Sequence, residues 1–211
     1  MHHRGDFMRK KRWLWLLVAV IGIGAITPAV VRVYNVAGNS DSPTFLEGER
    51  IVVIHAAYDV RLPFTDIVIV AHSQPQRGDV VMFRPPDGDY PVFKRVVGCP
   101  GDSVGMRDYR LVVNGTSLRY RKIDAYQDPR WMMGAAADSI VEEETGNGPP
   151  HLILRPAEPG PGASFDSCRV APDNYFVMGD NRGGSRDSRH YGAIPRGSIL
   201  GRVLRADRSA K

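Results

Sequence analysis

A mainly β domain that carries an inserted segment and follows one N-terminal transmembrane helix is the fold class this sequence predicts. Three observations predict it. An uncharged apolar run lies near the N-terminus, and short β-branched runs divided by Gly, Pro and Asp follow it. From about Lys122 to Arg169 that rhythm gives way to a polar, turn-rich stretch.

Residues 1–12 end in the basic cluster Arg9-Lys10-Lys11-Arg12 and read as a cytoplasmic flank. The 19 residues 13–31 hold no charge. At about 1.5 Å per residue they match a hydrocarbon core of about 30 Å, so the run predicts a single-pass anchor. Trp13 and Trp15 suit the entry interface, and the charge asymmetry predicts a cytoplasmic N-terminus with the rest exported. The same start also fits a cleaved secretory signal, and Pro28 interrupts the helical pattern. No small-x-small pair follows the run convincingly, which favours the anchor.

Residues 32–121 and 170–211 form the predicted β domain. Its strands are expected at Arg50 to Ile54, Asp79 to Phe83, Val92 to Val97, Ser103 to Met106, Arg110 to Val113, Tyr175 to Met178 and Ile199 to Leu204. Asn114-Gly115 predicts a tight hairpin, because both residues tolerate positive φ, with the next strand starting near Ser117. Residues 122–169 are read as an inserted subdomain, within which Thr145 to Ala163 reads equally as a solvated loop.

Composition narrows the function. The chain has 211 residues, 43% of them hydrophobic, enough for one good core. Its net charge is +5, but the basic residues are spread along the chain without a nucleic-acid motif, so an acidic lipid surface is the better electrostatic partner. The six His are scattered, and neither a metal site nor a cofactor is expected. Nothing in the spacing of Cys99 and Cys168 says that they meet.

A serine hydroxyl is a poor nucleophile at neutral pH and needs a nearby base and donors for the developing oxyanion. No G-x-S-x-G elbow is present, and His190 beside Asp187 lacks an obvious serine context, which disfavours a Ser-His-Asp triad. A serine–lysine pair is the remaining variant. Lys94 is the lysine suited to it, because it sits within Val92-Phe93-Lys94-Arg95-Val96-Val97, where desolvation disfavours the ammonium form. By alternation Lys94 shares a face with Val92 and Val96. Taken alone, a lysine in a strand is more often an edge or surface residue.

Five segments, in order, resemble the type I signal peptidases. Gly38-Asn39-Ser40-Asp41-Ser42-Pro43-Thr44 is similar to the family's S-M-x-P-T nucleophile segment, and Tyr58 to Asp66 to the loop before its next strand. Arg77-Gly78-Asp79-Val80-Val81 resembles R-G-D-hydrophobic, and Lys94-Arg95-Val96-Val97-Gly98-Cys99-Pro100-Gly101-Asp102 resembles K-R-V-x-G-x-P-G-D. Gly179 to Gly192 resembles G-D-N-R-x-x-S-x-D-S-R-x-x-G. The resemblance implies a coiled antiparallel β domain lying against the membrane and a membrane-bound endopeptidase that cuts signal peptides after small residues, at Ala-x-Ala sites.

It implies Ser40 as nucleophile and Lys94 as general base, acting through an acyl-enzyme, with Ser185 hydrogen-bonding and orienting the lysine. The Ser40 backbone N–H is then the main oxyanion donor, since Gly38 stands where some members have a serine. Asp187 is expected to pair with Arg189, and Asp180 with Arg95, as a support network. The partners implied are preproteins bearing signal peptides, membrane lipid and the secretion machinery, at the plasma membrane with the catalytic domain outside the cytoplasm. One position departs from the pattern: Asp41 replaces the family's methionine. A buried charge there costs desolvation and favours the ammonium form of Lys94, an expectation of weakened activity or altered specificity. Two other functions fit parts of the same pattern, a repressor-type self-cleaving protease and a tethered module that binds signal peptides without cutting them. The anchor argues against the first, and the presence of Ser40, Lys94 and Ser185 together against the second.

Overall fold

The structure is a computed structural model and describes residues 30–62, 65, 67–123 and 138–205. The expected anchor, residues 13–31, lies outside the described residues except for its last two, and Val31 already begins the first strand. Among the described residues no helix is long and apolar enough to cross a membrane.

A seven-stranded antiparallel sheet organises the molecule. In sequence its strands are β1 (Val31–Asn35), β2 (Arg50–Ile54), β5 (Val80–Phe83), β6 (Val92–Gly98), β14 (Asn174–Met178), β15 (Ile194–Pro195) and β16 (Ile199–Arg205). In space the order is β1-β2-β16-β5-β6-β14-β15, so the C-terminal strand β16 inserts between β2 and β5. The sheet therefore closes only when the end of the chain returns, and its contacts are non-local. A four-stranded sheet packs beside it, built from β7 (Ser103–Arg107), β8 (Arg110–Val113), β9 (Thr116–Ser117) and β13 (Phe165–Arg169). A three-stranded sheet joins β10 (Arg119–Lys122) to the hairpin of β11 (Ile140–Thr145) and β12 (His151–Arg155). A small hairpin pairs β3 (Asp59–Arg61) with β4 (Val68–Ala71).

The seven strands expected from the sequence all form, with ends that differ by a residue or less. Asn114 and Gly115 take φ of 52° and 77°, the positive values that the hairpin between β8 and β9 demands. Strand periodicity was weaker elsewhere. β10 and β11 carry Arg, Lys and Glu across from one another, Arg121 facing Glu143 and Lys122 facing Glu142, so charge pairs stand where an apolar alternation would announce a strand. β13 falls inside the expected insertion, yet it pairs with β7 across an irregular register.

β6 is an interior strand of the large sheet, between β5 and β14, and the five residues Lys94 to Gly98 are all buried. Val96 packs with Val81, Phe83, Val177 and Ile199 in one cluster, while Val97 packs with Val104, Met106, Leu111 and Met178 in another. Burying one such side chain fully contributes about 1.5–3 kcal/mol. Two covered faces explain why this strand reads as an almost continuous apolar run, interrupted only by Lys94 and Arg95. A third cluster, with Ile51, Val53, Val80, Met82 and Val203, also includes Val36 and Phe45, which flank the Ser40 segment in sequence.

Candidate active site

Ser40 lies on a compact turn after β1. Gly38, at φ 108°, reverses the chain, and nothing stands within 4 Å of where its Cβ would be. The turn is closed by the Ser42 N–H on the Asn39 carbonyl (3.1 Å) and the Phe45 N–H on the Asp41 carbonyl (3.0 Å). It presents a half-buried Ser40 to the middle of β6, where the antiparallel register sets Lys94 opposite Val81 and Arg95 opposite Val80.

The fold joins Ser40 to Lys94 across 54 positions: Lys94 Nζ donates to Ser40 Oγ at 2.6 Å. The same nitrogen donates to Asp41 Oδ2 at 2.7 Å and to the Phe93 carbonyl at 2.8 Å. Ser40 Oγ in turn donates to Asp41 Oδ2 at 2.8 Å. Serine, lysine and aspartate thus form a closed triangle of hydrogen bonds. Lys94 and Asp41 are each only 3% exposed. Burial pushes the Asp41 carboxyl above its ordinary 3.8; the Lys94 charge opposes that rise and the Asp180 charge adds to it.

A second turn, residues 179–182, clamps the first. The Asn181 N–H donates to the Ser40 carbonyl (3.1 Å), and Asn181 Nδ2 donates to the Asn39 carbonyl (3.1 Å). Thr44 donates a short hydrogen bond to Asp180 Oδ2. Arg95 grips Asp180 bidentately, Nε to Oδ1 at 2.8 Å and Nη2 to Oδ2 at 2.6 Å. Burial acts to raise the Asp180 carboxyl, but the Arg95 charge and hydrogen bonds outweigh it and hold the group below its ordinary value. Gly179 is a steric necessity here, since a Cβ would sit 2.3 Å from the Ser40 carbonyl oxygen and 2.2 Å from Ser185 Oγ.

Arg189 and Asp187 also pair bidentately, with both bonds at 2.8 Å. Asp187 caps the short helix α1 (Ser188–Tyr191) and accepts the Gly179 N–H at 3.0 Å, while Arg189 Nη1 reaches the Arg182 carbonyl at 2.5 Å. Each pair therefore ties a side chain to the clamp. Ser185 is placed differently from the expectation drawn for it. It lies beside Gly179, and its buried hydroxyl has no hydrogen-bond partner, while the three donors of Lys94 go to Ser40, Asp41 and the Phe93 carbonyl.

Sequence reasoning missed the charges behind the clamp. Arg182 donates to Glu144 of β11 through Nη1 at 2.8 Å and Nη2 at 3.0 Å, with both side chains fully buried. His151 of β12 stands 3.3 Å from Glu144 and 3.9 Å from Asp180. The Leu154 N–H binds the Asp180 carbonyl and the Arg182 N–H binds the Leu154 carbonyl, which lays β12 along the clamp. The only signal for this was the run Glu142-Glu143-Glu144, which alternates to opposite faces of a strand and so places Glu142 and Glu144 inward. Cys99 and Cys168 are both free thiols. No group of three or more His, Cys, Asp or Glu gathers to metal-binding geometry among the described residues.

The family described as "Signal peptidase, peptidase S26" matches residues 10–206. The chain is 32% identical over 187 residues to signal peptidase I of Pseudomonas fluorescens, covering 83% of this chain and 64% of that protein's length. It is 30% identical over 195 residues to signal peptidase I of Bacillus caldolyticus, covering 92% of this chain and 88% of that one. A solved signal peptidase I from Enterococcus faecalis V583 covers 63% of this chain and 98% of its own, at 26% identity and a TM-score of 0.38. With a family match over nearly its whole length and the Bacillus relative covered almost end to end, the chain belongs to the signal peptidase family, peptidase S26.

Proposed function

We propose that this protein is a serine endopeptidase that removes N-terminal signal peptides from exported preproteins, cutting after small residues at Ala-x-Ala sites, with Ser40 as nucleophile and Lys94 as general base. The observation that carries the reading is the 2.6 Å approach of Lys94 Nζ to Ser40 Oγ inside a buried site of a signal peptidase family member. In this reading Lys94 takes the Ser40 proton as Oγ attacks the scissile carbonyl, and returns it to the leaving amine. Water then hydrolyses the acyl-enzyme. The Ser40 backbone N–H serves the oxyanion, and the ion pairs Arg95–Asp180 and Arg189–Asp187 hold the clamp that fixes the Ser40 turn.

Catalysis beside a lipid surface, on a domain anchored by residues 13–31 and facing away from the cytoplasm, completes the proposal. Its support is apolar surface: Val31 and Val33 on β1, and Val60, Ile67, Val68, Ile69 and Val70 on or beside the β3–β4 hairpin are all exposed. Exposed apolar side chains gathered on one hairpin are costly in water and favourable against lipid or an apolar peptide. The test is cleavage of a preprotein with an Ala-x-Ala site by the full chain in detergent. Ser40→Ala and Lys94→Ala should each lower kcat/KM by at least about 10³-fold. Activity surviving in Lys94→Ala refutes the pairing, and binding without cleavage by the parent chain refutes the enzyme.

A further inference from the structure

We propose that Asp41 is a third catalytic residue, one that stores the surplus proton of Lys94 so that the lysine becomes a neutral base without losing a proton to solvent. The inference rests on the Ser40–Lys94 reading and deepens it. Its basis is the triangle itself. Phe93 O accepts only, so one Nζ hydrogen is committed to it, and the protons of the other three groups are shared among Ser40 Oγ, Asp41 Oδ2 and Nζ, which stand 2.6, 2.7 and 2.8 Å apart.

Two arrangements satisfy every one of these contacts with the same number of protons. In the first, Lys94 is an ammonium that donates to Oγ and Oδ2, and the Ser40 hydroxyl donates to the Asp41 carboxylate. The Ser40 hydrogen then points away from its base. In the second, Asp41 is a carboxylic acid that donates to Oγ, the Ser40 hydroxyl donates to the Nζ lone pair, and the amine donates to Oδ2 and Phe93 O. The hydrogen of Ser40 now points at its base.

A double shift interconverts them. The Oγ–H bond breaks as Oδ2–H forms, and an Nζ–H bond breaks as a new Oγ–H forms. One proton passes from Lys94 to Asp41 through the serine hydroxyl, none enters or leaves the site, and both charges disappear. Oγ then bonds to the scissile carbon while its hydrogen goes to Nζ, which restores the ammonium for the leaving amine.

Burial supplies the reason for the neutral arrangement to be reached. An ion pair with both members 3% exposed forfeits most of its hydration, whereas acid and amine forfeit little. The charged or titratable groups that bear on Asp41 from the elements around it are Lys94 and Arg95 on β6, Asp180 on the clamp and Tyr191 on α1. Of these Arg95 and Asp180 neutralise one another. The desolvation that raises the Asp41 carboxyl acts in the same direction.

The test is kcat/KM against pH for the full chain in detergent, on the same preprotein, for the parent, Asp41→Asn and Asp41→Met. Without Asp41, Lys94 must release its proton to bulk water before it accepts one from Ser40. The acid limb should therefore move to higher pH by at least one unit in both variants, with kcat/KM tenfold or more lower at neutral pH and convergence with the parent at alkaline pH. A residue that only held the turn in shape would lower activity evenly at all pH. An unmoved limb, or one moved to lower pH, overturns the proposal and makes Asp41 a bystander or a brake. The parent alone supplies a check that needs no variant: an acid limb near the ordinary lysine value of about 10 overturns it. Activity surviving in Lys94→Ala would instead strike the Ser40–Lys94 reading, so the two failures are distinguishable.

Discussion

Arg182→Met tests how the clamp over Ser40 is held. In the folded chain the guanidinium and the Glu144 carboxylate are both fully buried and make two charge-assisted hydrogen bonds, and Arg182 Nε adds a third bond to the Gly179 carbonyl at 3.2 Å. Methionine fills much of the same volume but leaves Glu144 a buried anion without its guanidinium partner, with His151 at 3.3 Å and the Tyr120 hydroxyl still beside it. Breaking one side of such a pair costs about 3–5 kcal/mol. A domain of this kind is stable by about 5–15 kcal/mol in all, so the loss is a large fraction of the whole.

Replacing both partners, Glu144→Leu with Arg182→Met, removes the stranded charge. That chain should recover to within about 1–2 kcal/mol of the parent, giving a coupling energy of at least about 2 kcal/mol. Urea unfolding in detergent of the parent, the double change and each single change, Glu144→Leu included, followed by far-ultraviolet circular dichroism, measures it. A cost below about 1 kcal/mol for the single change, or simple addition in the double, refutes the reasoning.

The same pair predicts a pH signature. Burial acts to raise the Glu144 carboxyl, but the Arg182 charge and the bonds from Arg182 and His151 hold it well below its ordinary 4.5. A depressed folded value means that its stabilisation is present above the ordinary value and is lost as pH falls through the folded one. The parent should lose stability progressively below about pH 4.5, and Arg182→Met should lose far less over that range.

Two further outcomes follow from the glycine and the serine beside the clamp. Gly179→Ala places a methyl 2.3 Å from the Ser40 carbonyl and 2.2 Å from Ser185 Oγ, so it should displace the nucleophile and lower kcat/KM by about 100-fold or more. Adding Ser185→Gly relieves only the side-chain clash, so melting temperature should recover in part and activity should not; recovery of activity refutes the account. Ser185→Ala removes a buried hydroxyl that has no partner, a group whose burial costs about 1–3 kcal/mol, so thermal unfolding should be unchanged or occur at higher temperature. A fall in stability of more than about 1 kcal/mol would show that the hydroxyl is bonded after all.

Much of the fold and site was legible in the residues. β2, β5, β6, β8, β14 and β16 were readable because burial on the core side imposes a short-range alternation or an apolar run, which a sequence carries directly. The hairpin at Asn114-Gly115 was readable for a local reason too, the positive φ of both residues. β10 and β11 were not, because charge pairs such as Arg121–Glu143 do there what apolar alternation does elsewhere, and a charge in a sequence reads as solvated until its partner is known.

Lys94 could be singled out by its apolar setting, and Ser40, Arg95, Asp180, Asp187 and Arg189 by the resemblance of their segments to those of the signal peptidases. Their meeting could not be. Ser40 and Lys94 are joined only because β16 returns to close the sheet and Asn181 pins the Ser40 turn against β6. Distance in sequence hides such contacts, and so the burial of Glu144 against Arg182 and the unpartnered Ser185 hydroxyl had no one-dimensional signal.

Asp41 draws the line most sharply. The sequence by itself determined that a carboxyl stands beside the nucleophile and that a charge there favours a charged lysine. Only the tertiary structure decided that this carboxyl is buried, touches Ser40 and Lys94 at once, and closes a ring in which a proton has two places to rest. Composition states how many charges a chain has, whereas solvation and mutual distance, which decide where the protons sit, exist only once the chain has folded.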